Sequence, residues 1–316
     1  MPSVLITGGT GLVGTAVKVL LEQKGYEVVL LTRSKTPLKG QAHWDINAGT
    51  IDSAAIAAAD YIIHLAGAGV ADKRWSTARK QEILDSRTKS SALLVKALQE
   101  TPNKVKAVIS ASAIGWYGPD GNIYSNDTHN NDAAAQGFVE TDPSYPDFLG
   151  TTCAAWEASI APVTANTNGL QKRLVCLRTG IVLSKHGGAL KEFLKPLAVR
   201  MAAVLGNGKQ MISWIDIRDL AKMFVCAIEN ENISGSYNAV APAPVSNKTL
   251  TQTLAKVLYG SFYITTYVPS FVLKIMLGEM SIEVLKSTTV SAQKILDTGF
   301  VFDYPEISKS LSTLDL

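Results

Sequence analysis

Apolar residues run almost unbroken through several short stretches of the chain. In the longer stretches between them they recur every three or four residues. "SVLITGG", "YEVVLLTR", "DYIIHLAG", "VKAVISASA" and "QKRLVCLRTGIVL" are of the first kind. A strand buried on both faces needs that continuity, because neither side of its pleat meets water. "GLVGTAVKVLLEQKG" is of the second kind and is closed by Gly25. The same helical spacing is predicted over about 77–100, 147–161, 188–201 and 217–229. Strand and helix alternate through the first two-thirds of the chain. The predicted fold class is therefore α/β, a Rossmann-type doubly wound parallel sheet covered by helices on both faces.

Two regions break the alternation. Residues 118–145 are rich in Asn, Asp, Gly and Thr and lack periodicity, which reads as a flap beside a cleft or as a disordered insertion. After Gly235 the signals shorten. "SFYITTYVP" is a candidate strand, and "VPSFVLKIML", "SAQKILDTG" and "PEISKSLSTL" look helical. The predicted organisation is a dinucleotide-binding domain over 1–235, with substrate-side insertions from about 181. A smaller α+β C-terminal lobe follows over 236–316.

Composition narrows the classes. Apolar residues make up 47% of the 316 and charged residues 18%, enough for a large core. A net charge of +3, with no interleaved aromatic and basic stretch, argues against nucleic acid as a partner. No apolar run is long enough for a membrane span, and no secretory leader is evident. Cys153, Cys176 and Cys226 are few and widely spaced, which fits a reducing cytoplasm. The four histidines show no metal-ligand spacing, so no metal is expected. The expected partner is a small-molecule substrate of unknown identity. The oligomeric state is not legible.

The sharpest motif is "LITGGTGLVG", which places Gly8, Gly11 and Gly14 between the first strand and the first helix. Gly8 permits the tight turn, Gly11 lets a pyrophosphate approach the backbone, and Gly14 lets helix and strand pack closely. The next strand ends "LLTRSK". An acidic residue there would suit the ribose hydroxyls of NAD. Thr32, Arg33, Ser34 and Lys35 offer cations and hydroxyls that suit a 2′-phosphate instead, so NADP(H) is the expected cofactor. Asp45 is a candidate acceptor for the adenine amino group. Leu65, Ala66 and Gly67 would let the cofactor lie close to the backbone.

Together with "SASAIGWYG", "WEA", "LRTGIVLSKHGGAL", "LGNGKQMISWIDIRDL", "GSYNAVAPAPVSNKTL" and "GFVFDYPEISKSL", this loop resembles the extended short-chain dehydrogenase/reductase superfamily. Within it, the chain is similar to the atypical subgroup called epimerase family proteins. The resemblance implies a pyrophosphate cradle of Gly8, Thr10, Gly11, Leu12 and Val13, and Arg33 at the adenosine phosphate. It implies Leu65, Ala66 and Gly67 along the ribose, and Ser86 where an asparagine is usual. Ser110 and Ser112 would face the nicotinamide, flanked by Thr179, Gly180, Ile181 and Val182.

The superfamily's reaction uses a Tyr-x-x-x-Lys pair on a helix, the lysine lowering the phenol pKa. By spacing, Cys153 stands at the tyrosine position and Glu157 at the lysine position. A carboxylate raises a thiol pKa, so the replacement is not an equivalent. Cys153 reads as a small core residue. Glu157 is either a base or an ordinary helix carboxylate. Ser112 is the candidate hydroxyl for a substrate oxygen, and Tyr117 is either a second acid or an aromatic lid. On the substrate side, Lys195, Arg200, Gln210 and Trp214 are candidates, and Asp219 is expected to cap the helix after it. Two functions stay open, the first of them favoured. One is an NADP-dependent oxidoreductase or epimerase-like enzyme acting on a small polar or nucleotide-sugar-like substrate. The other is a non-catalytic NADP(H)-binding sensor or scaffold.

Overall fold

The computed structural model describes residues 1–122, 137–167 and 170–314. Part of the predicted flap, 123–136, lies outside the described residues. The strands are β1 Ser3–Thr7, β2 Glu27–Thr32, β3 Gln41–Asp45, β4 Thr50–Ile51, β5 Tyr61–His64, β6 Ala107–Ala113 and β7 Arg173–Thr179. They continue with β8 Ile181–Ser184, β9 Gly187–Gly188, β10 Met201–Leu205, β11 Met211–Ile212, β12 Trp214–Asp216, β13 Gly235–Ala239, β14 Val245–Ser246 and β15 Ile264–Val268. The helices used below are α1 Leu12–Gln23, α2 Ser53–Ala58, α3 Thr77–Glu100, α4 Phe148–Ile160, α5 Ala189–Leu197 and α6 Ile217–Glu229.

Eight strands form the main sheet in the order β13-β7-β6-β5-β1-β2-β3-β4. Every pairing is parallel except the short β3–β4 hairpin. The chain starts at β1, winds outward through β2 and β3, then returns to the other side of β1 as β5. That reversal between β1 and β5 is the topological switch point, where a crevice opens at the carboxyl ends of the strands. The continuous apolar runs are explained by two cores. On one face, Val4, Ile6, Ile109 and Leu177 pack with Val17 and Leu21 of α1 and Phe224 and Ile228 of α6. On the other, Leu5, Ile62, Val108 and Cys176 pack with Leu94 and Leu98 of α3 and Ile160 of α4.

Two expectations about the later chain change. "QKRLVCLRTGIVL" is two strands, not one. The Gly180 amide donates to Ala239 in the main sheet, and the Ile181 amide donates to Ser213 in a separate three-stranded sheet, β12-β8-β9. A Cβ at Gly180 would lie 2.7 Å from the Ser213 carbonyl oxygen, so only glycine passes there. The predicted boundary at 235 also cuts through β13, which completes the main sheet out to Ala239.

The smaller lobe has its own core, including Leu183, Leu190, Trp214, Leu250, Leu254 and Leu311. It is seated on the loops that follow β5 and β6. Lys80 pairs with Glu279, Arg74 donates to the Ile275 carbonyl at 3.0 Å, and Lys286 donates to the Tyr117 carbonyl at 3.2 Å. Asp120 accepts from the Thr289 amide and from the hydroxyls of Ser287 and Thr289. Among the described residues no helix is long and apolar enough to cross a membrane.

Candidate active site

The glycine loop is shaped by what cannot fit. Gly8 has φ +67°, and a Cβ there would lie 2.8 Å from the Leu65 backbone. A Cβ on Gly14 would lie 2.4 Å from the Gly8 carbonyl oxygen. Gly11 is different, because it caps α1 with no side-chain hydrogen bond and is exposed together with Thr10. The first-turn amides of Leu12 and Val13 therefore have no capping side chain, and they carry the positive end of the helix dipole. This is an anion site in form. Arg33 leaves β2 exposed, and no described residue pairs with it. Ser34 beside it donates to the Thr36 carbonyl at 3.2 Å.

Asp45 has a structural task as well. Its Oδ1 accepts from the amides of Asn47 and Ala48 at 2.9 and 3.0 Å, so it closes the turn after β3. Those amides hold its pKa below the usual carboxylate range, the Ala48 amide most.

The end of β5 is fixed by Thr7. Its Oγ1 accepts from the amides of Leu65 and Ala66 at 3.0 and 3.1 Å. With those two bonds accepted, its hydroxyl proton goes to His64 Nδ1 at 2.8 Å. The remaining ring proton then sits on Nε2, facing Ser91 at 3.1 Å. Complete burial, with the nearby Arg87 charge, lowers the His64 pKa to about 3, so the ring is neutral. Ser86 holds the following loop, accepting from the Ala68 amide at 2.9 Å and donating to Ile83 at 3.0 Å.

Beyond β5 the sheet carries a buried polar network. Ser112, Arg178 and Asn238 are aligned across β6, β7 and β13. Ser112 Oγ donates to Glu157 Oε1 at 2.6 Å. Glu157 also accepts both arms of Arg178, at 2.8 and 3.0 Å, and the Ser236 hydroxyl at 3.0 Å. The third nitrogen of Arg178 donates to the Tyr117 hydroxyl and the Glu140 carbonyl, both at 3.0 Å. Its guanidinium lies 3.6 Å from the Trp116 ring centroid. Burial works against the Arg178 cation, and its bonds to Glu157 and Tyr117 outweigh that, so its pKa is raised.

Several nominated residues therefore stand differently. Tyr117 is neither lid nor accessible acid. It is fully buried, stacks on Phe138 and donates to Asn238 Oδ1 at 2.7 Å, and burial pushes its pKa well up. Cys153, by contrast, is the small core residue its sequence context suggests: it is buried, and desolvation pushes its thiol up to about 12. Ser110 donates to the Ala111 carbonyl. Thr179 donates to Leu177, Gly180 sits at the crossing between sheets, and Ile181 and Val182 lead away in β8 with Ile181 exposed.

On the substrate side, Trp214 is fully buried and donates to the Ala243 carbonyl at 2.9 Å. Gln210 is buried and donates to the Leu205 carbonyl. Exposed Lys195 pairs with Glu192, and Arg200 lies over the Tyr259 ring. None of these four bonds to β1, β5, β6 or α4, because each is taken up within the smaller lobe. Asp216, not Asp219, caps α6. Asp219 accepts from the amides of Asp303 and Tyr304 and ties down the tail. Sequence reasoning missed Arg178 and Arg87. The signal for Arg178 was a charge inside an apolar strand run, "RLVCLRTG".

A cavity of about 700 Å³ opens at Thr10, Gly11 and Leu12 and follows the outer face of α1 to Arg218 and Leu314. It shares no residue with the Ser112–Arg178 network. Among the described residues no group of His, Cys, Asp and Glu is placed to hold a metal ion.

A doubly wound sheet with an uncapped glycine loop at its first crossover, and a β6 serine facing the helix that carries the Tyr and Lys positions, defines an extended short-chain dehydrogenase/reductase. Known proteins agree and narrow the class. The family model described as NAD dependent epimerase/dehydratase family matches residues 4–141, and that of a Domain of unknown function (DUF1731) matches residues 268–314. The epimerase family protein SDR39U1 of Mus musculus is 32% identical, over 98% of both chains. The epimerase family protein YfhF of Bacillus subtilis (strain 168) is 32% identical over 99% of this chain and 97% of its own. The crystal structure of human SDR39U1 (isoform2) with NADPH matches with a TM-score of 0.83 and 29% identity, covering 99% of this chain and 98% of that one. The chain belongs to the epimerase family proteins, a branch of the NAD(P)-dependent epimerase/dehydratase type.

Proposed function

We propose that this protein holds NADP(H) across the carboxyl ends of β1, β5 and β6 and serves as an NADP(H)-binding sensor or scaffold. The uncapped start of α1 supplies amides for the pyrophosphate. Exposed Arg33, without a protein partner among the described residues, suits the 2′-phosphate. The human relative crystallised with NADPH supports the same choice of nucleotide.

One observation carries the non-catalytic half of this reading. Every side chain nominated for proton exchange is already committed inside the protein. Ser112 donates to Glu157, Glu157 is neutralised by Arg178, Tyr117 is sealed between Asn238 and Arg178, and Cys153 is a buried, protonated thiol. A buried ion pair of this kind resists opening, since removing one partner strands the other charge.

A second reading has one contact in its favour. Ser112, having given its proton toward Glu157, keeps its lone pairs free to accept one from a substrate hydroxyl. On that reading the protein is an oxidoreductase or epimerase acting on a small polar or nucleotide-sugar-like substrate. The bound nicotinamide supplies the hydride exchange.

Rapid mixing with aldehydes, ketones and nucleotide sugars, followed at the reduced-nicotinamide absorbance band, separates the two. The expected result is saturable NADPH binding without oxidation. Turnover that disappears in Ser112→Ala and survives in Cys153→Ala would replace the sensor with the enzyme.

A further inference from the structure

Arg87 is a half-buried cation without a counter-ion among the described residues. It stands on α3, beside the carboxyl end of β5 and against α4. Its Nη1 donates to the carbonyls of Ala68 and Ile83, both at 3.0 Å, which pins one arm of the fork. Among the described residues no carboxylate pairs with it, and Nε and Nη2 find no acceptor. Its guanidinium carbon lies 4.9 Å from the ring centroid of Trp156, which sits between Cys153 and Glu157 on α4. The Trp156 indole nitrogen is itself buried without a partner there. The bare backbone of Gly67 makes room for the guanidinium, because a Cβ there would lie 3.2 Å from its central carbon.

A half-buried cation with no carboxylate beside it is costly, and its free N–H groups are available to a polar group that enters the cleft. This one lies on the β5–β6 side of the switch point, opposite the β2 side that carries Arg33. It lies against the Trp156 ring of α4. Glu157, at the superfamily's lysine position, is turned away and neutralised by Arg178.

We propose that Arg87 binds the nicotinamide half of the dinucleotide, its free N–H groups donating to the ribose hydroxyls next to the ring. The inference rests on the NADP(H) reading above, and its test separates the two.

Binding of NADPH and of adenosine 2′,5′-bisphosphate, which lacks the nicotinamide half, is measured by titration calorimetry for the wild type, Arg87→Gln and Arg87→Lys. The Gln variant is expected to weaken NADPH about tenfold, the worth of a lost charge-assisted hydrogen bond, and to leave the bisphosphate unchanged. The Lys variant keeps stem and charge but loses the planar fork. Its ratio of the two affinities is expected to fall in the same direction by less, and it decides the matter if the Gln variant does not fold. A ratio unchanged from the wild type, whether both ligands are unaffected or both lose equally, overturns the role of Arg87. Failure of the wild type to bind the bisphosphate overturns the NADP(H) reading instead.

Discussion

At the scale of single residues, buried polar groups decide more than the motif glycines do. His64 has no solvent contact, and in the neutral form it accepts from Thr7 at Nδ1 and donates to Ser91 from Nε2. Its folded pKa of about 3 lies below its ordinary 6.5. Between those values the unfolded chain binds a proton that the folded chain refuses. The stability His64 confers is therefore complete above pH 6.5 and is lost as the pH falls toward 3, by at most about 1.4 kcal/mol per unit. Urea denaturation from pH 7.5 to 4 is expected to show this decline, and His64→Gln, though less stable at pH 7.5, is expected to show a shallower one. Equal slopes in both proteins would contradict it. The places of the glycines, Arg33 and Ser112 at strand ends were legible because each lies in a recognisable pattern. Arg178 and Arg87 were not, because their partners, Glu157 and Trp156, come from a different element, α4. Only the fold brings them together.

At the scale of elements, close approach of backbones sets the loop that faces the crevice. Gly14→Ala would place a methyl group 2.4 Å from the Gly8 carbonyl oxygen, in a turn with no flexible neighbour to move. We expect a loss of about 2 kcal/mol by thermal or urea unfolding, and a loss of nucleotide affinity with it. Unchanged stability would mean that the loop relaxes freely. Helix bounds were legible where periodicity and caps agree. α3 and α6 run as their apolar spacing predicts and begin after Ser76 and Asp216, although for α6 the sequence points to Asp219 as the cap. β13 was not legible. "GSYNA" has low strand propensity and becomes a strand because β7 offers an unpaired edge. The break at Gly180 was hidden by apolar residues on both sides of it, which suit two sheets as well as one.

At the scale of the whole molecule, the parallel sheet sets the division of labour. One side of the switch point presents an uncapped helix start and Arg33, and the other presents the closed network around Arg178 with Arg87 at its margin. The smaller lobe is bound to the loops beyond β5 and β6 by Arg74, Lys80, Asp120 and Lys286, so the crevice is bordered by fixed groups. Fold class was legible from alternation alone, whereas the end of the first domain was not, because β13 carries the main sheet past the expected boundary to Ala239. The lobe was less so, because its strands are short and drawn from 181–216 as well as from the tail. The central claim is that this arrangement selects a dinucleotide by its 2′-phosphate. The measurement that tests it most directly is the affinity of the intact protein and of Arg33→Ala for NADPH and for NADH. The account predicts that the intact protein prefers NADPH, and that the substitution weakens NADPH about tenfold while leaving NADH nearly unchanged. Equal affinity of the intact protein for the two nucleotides, or an equal loss for both on substitution, would contradict it.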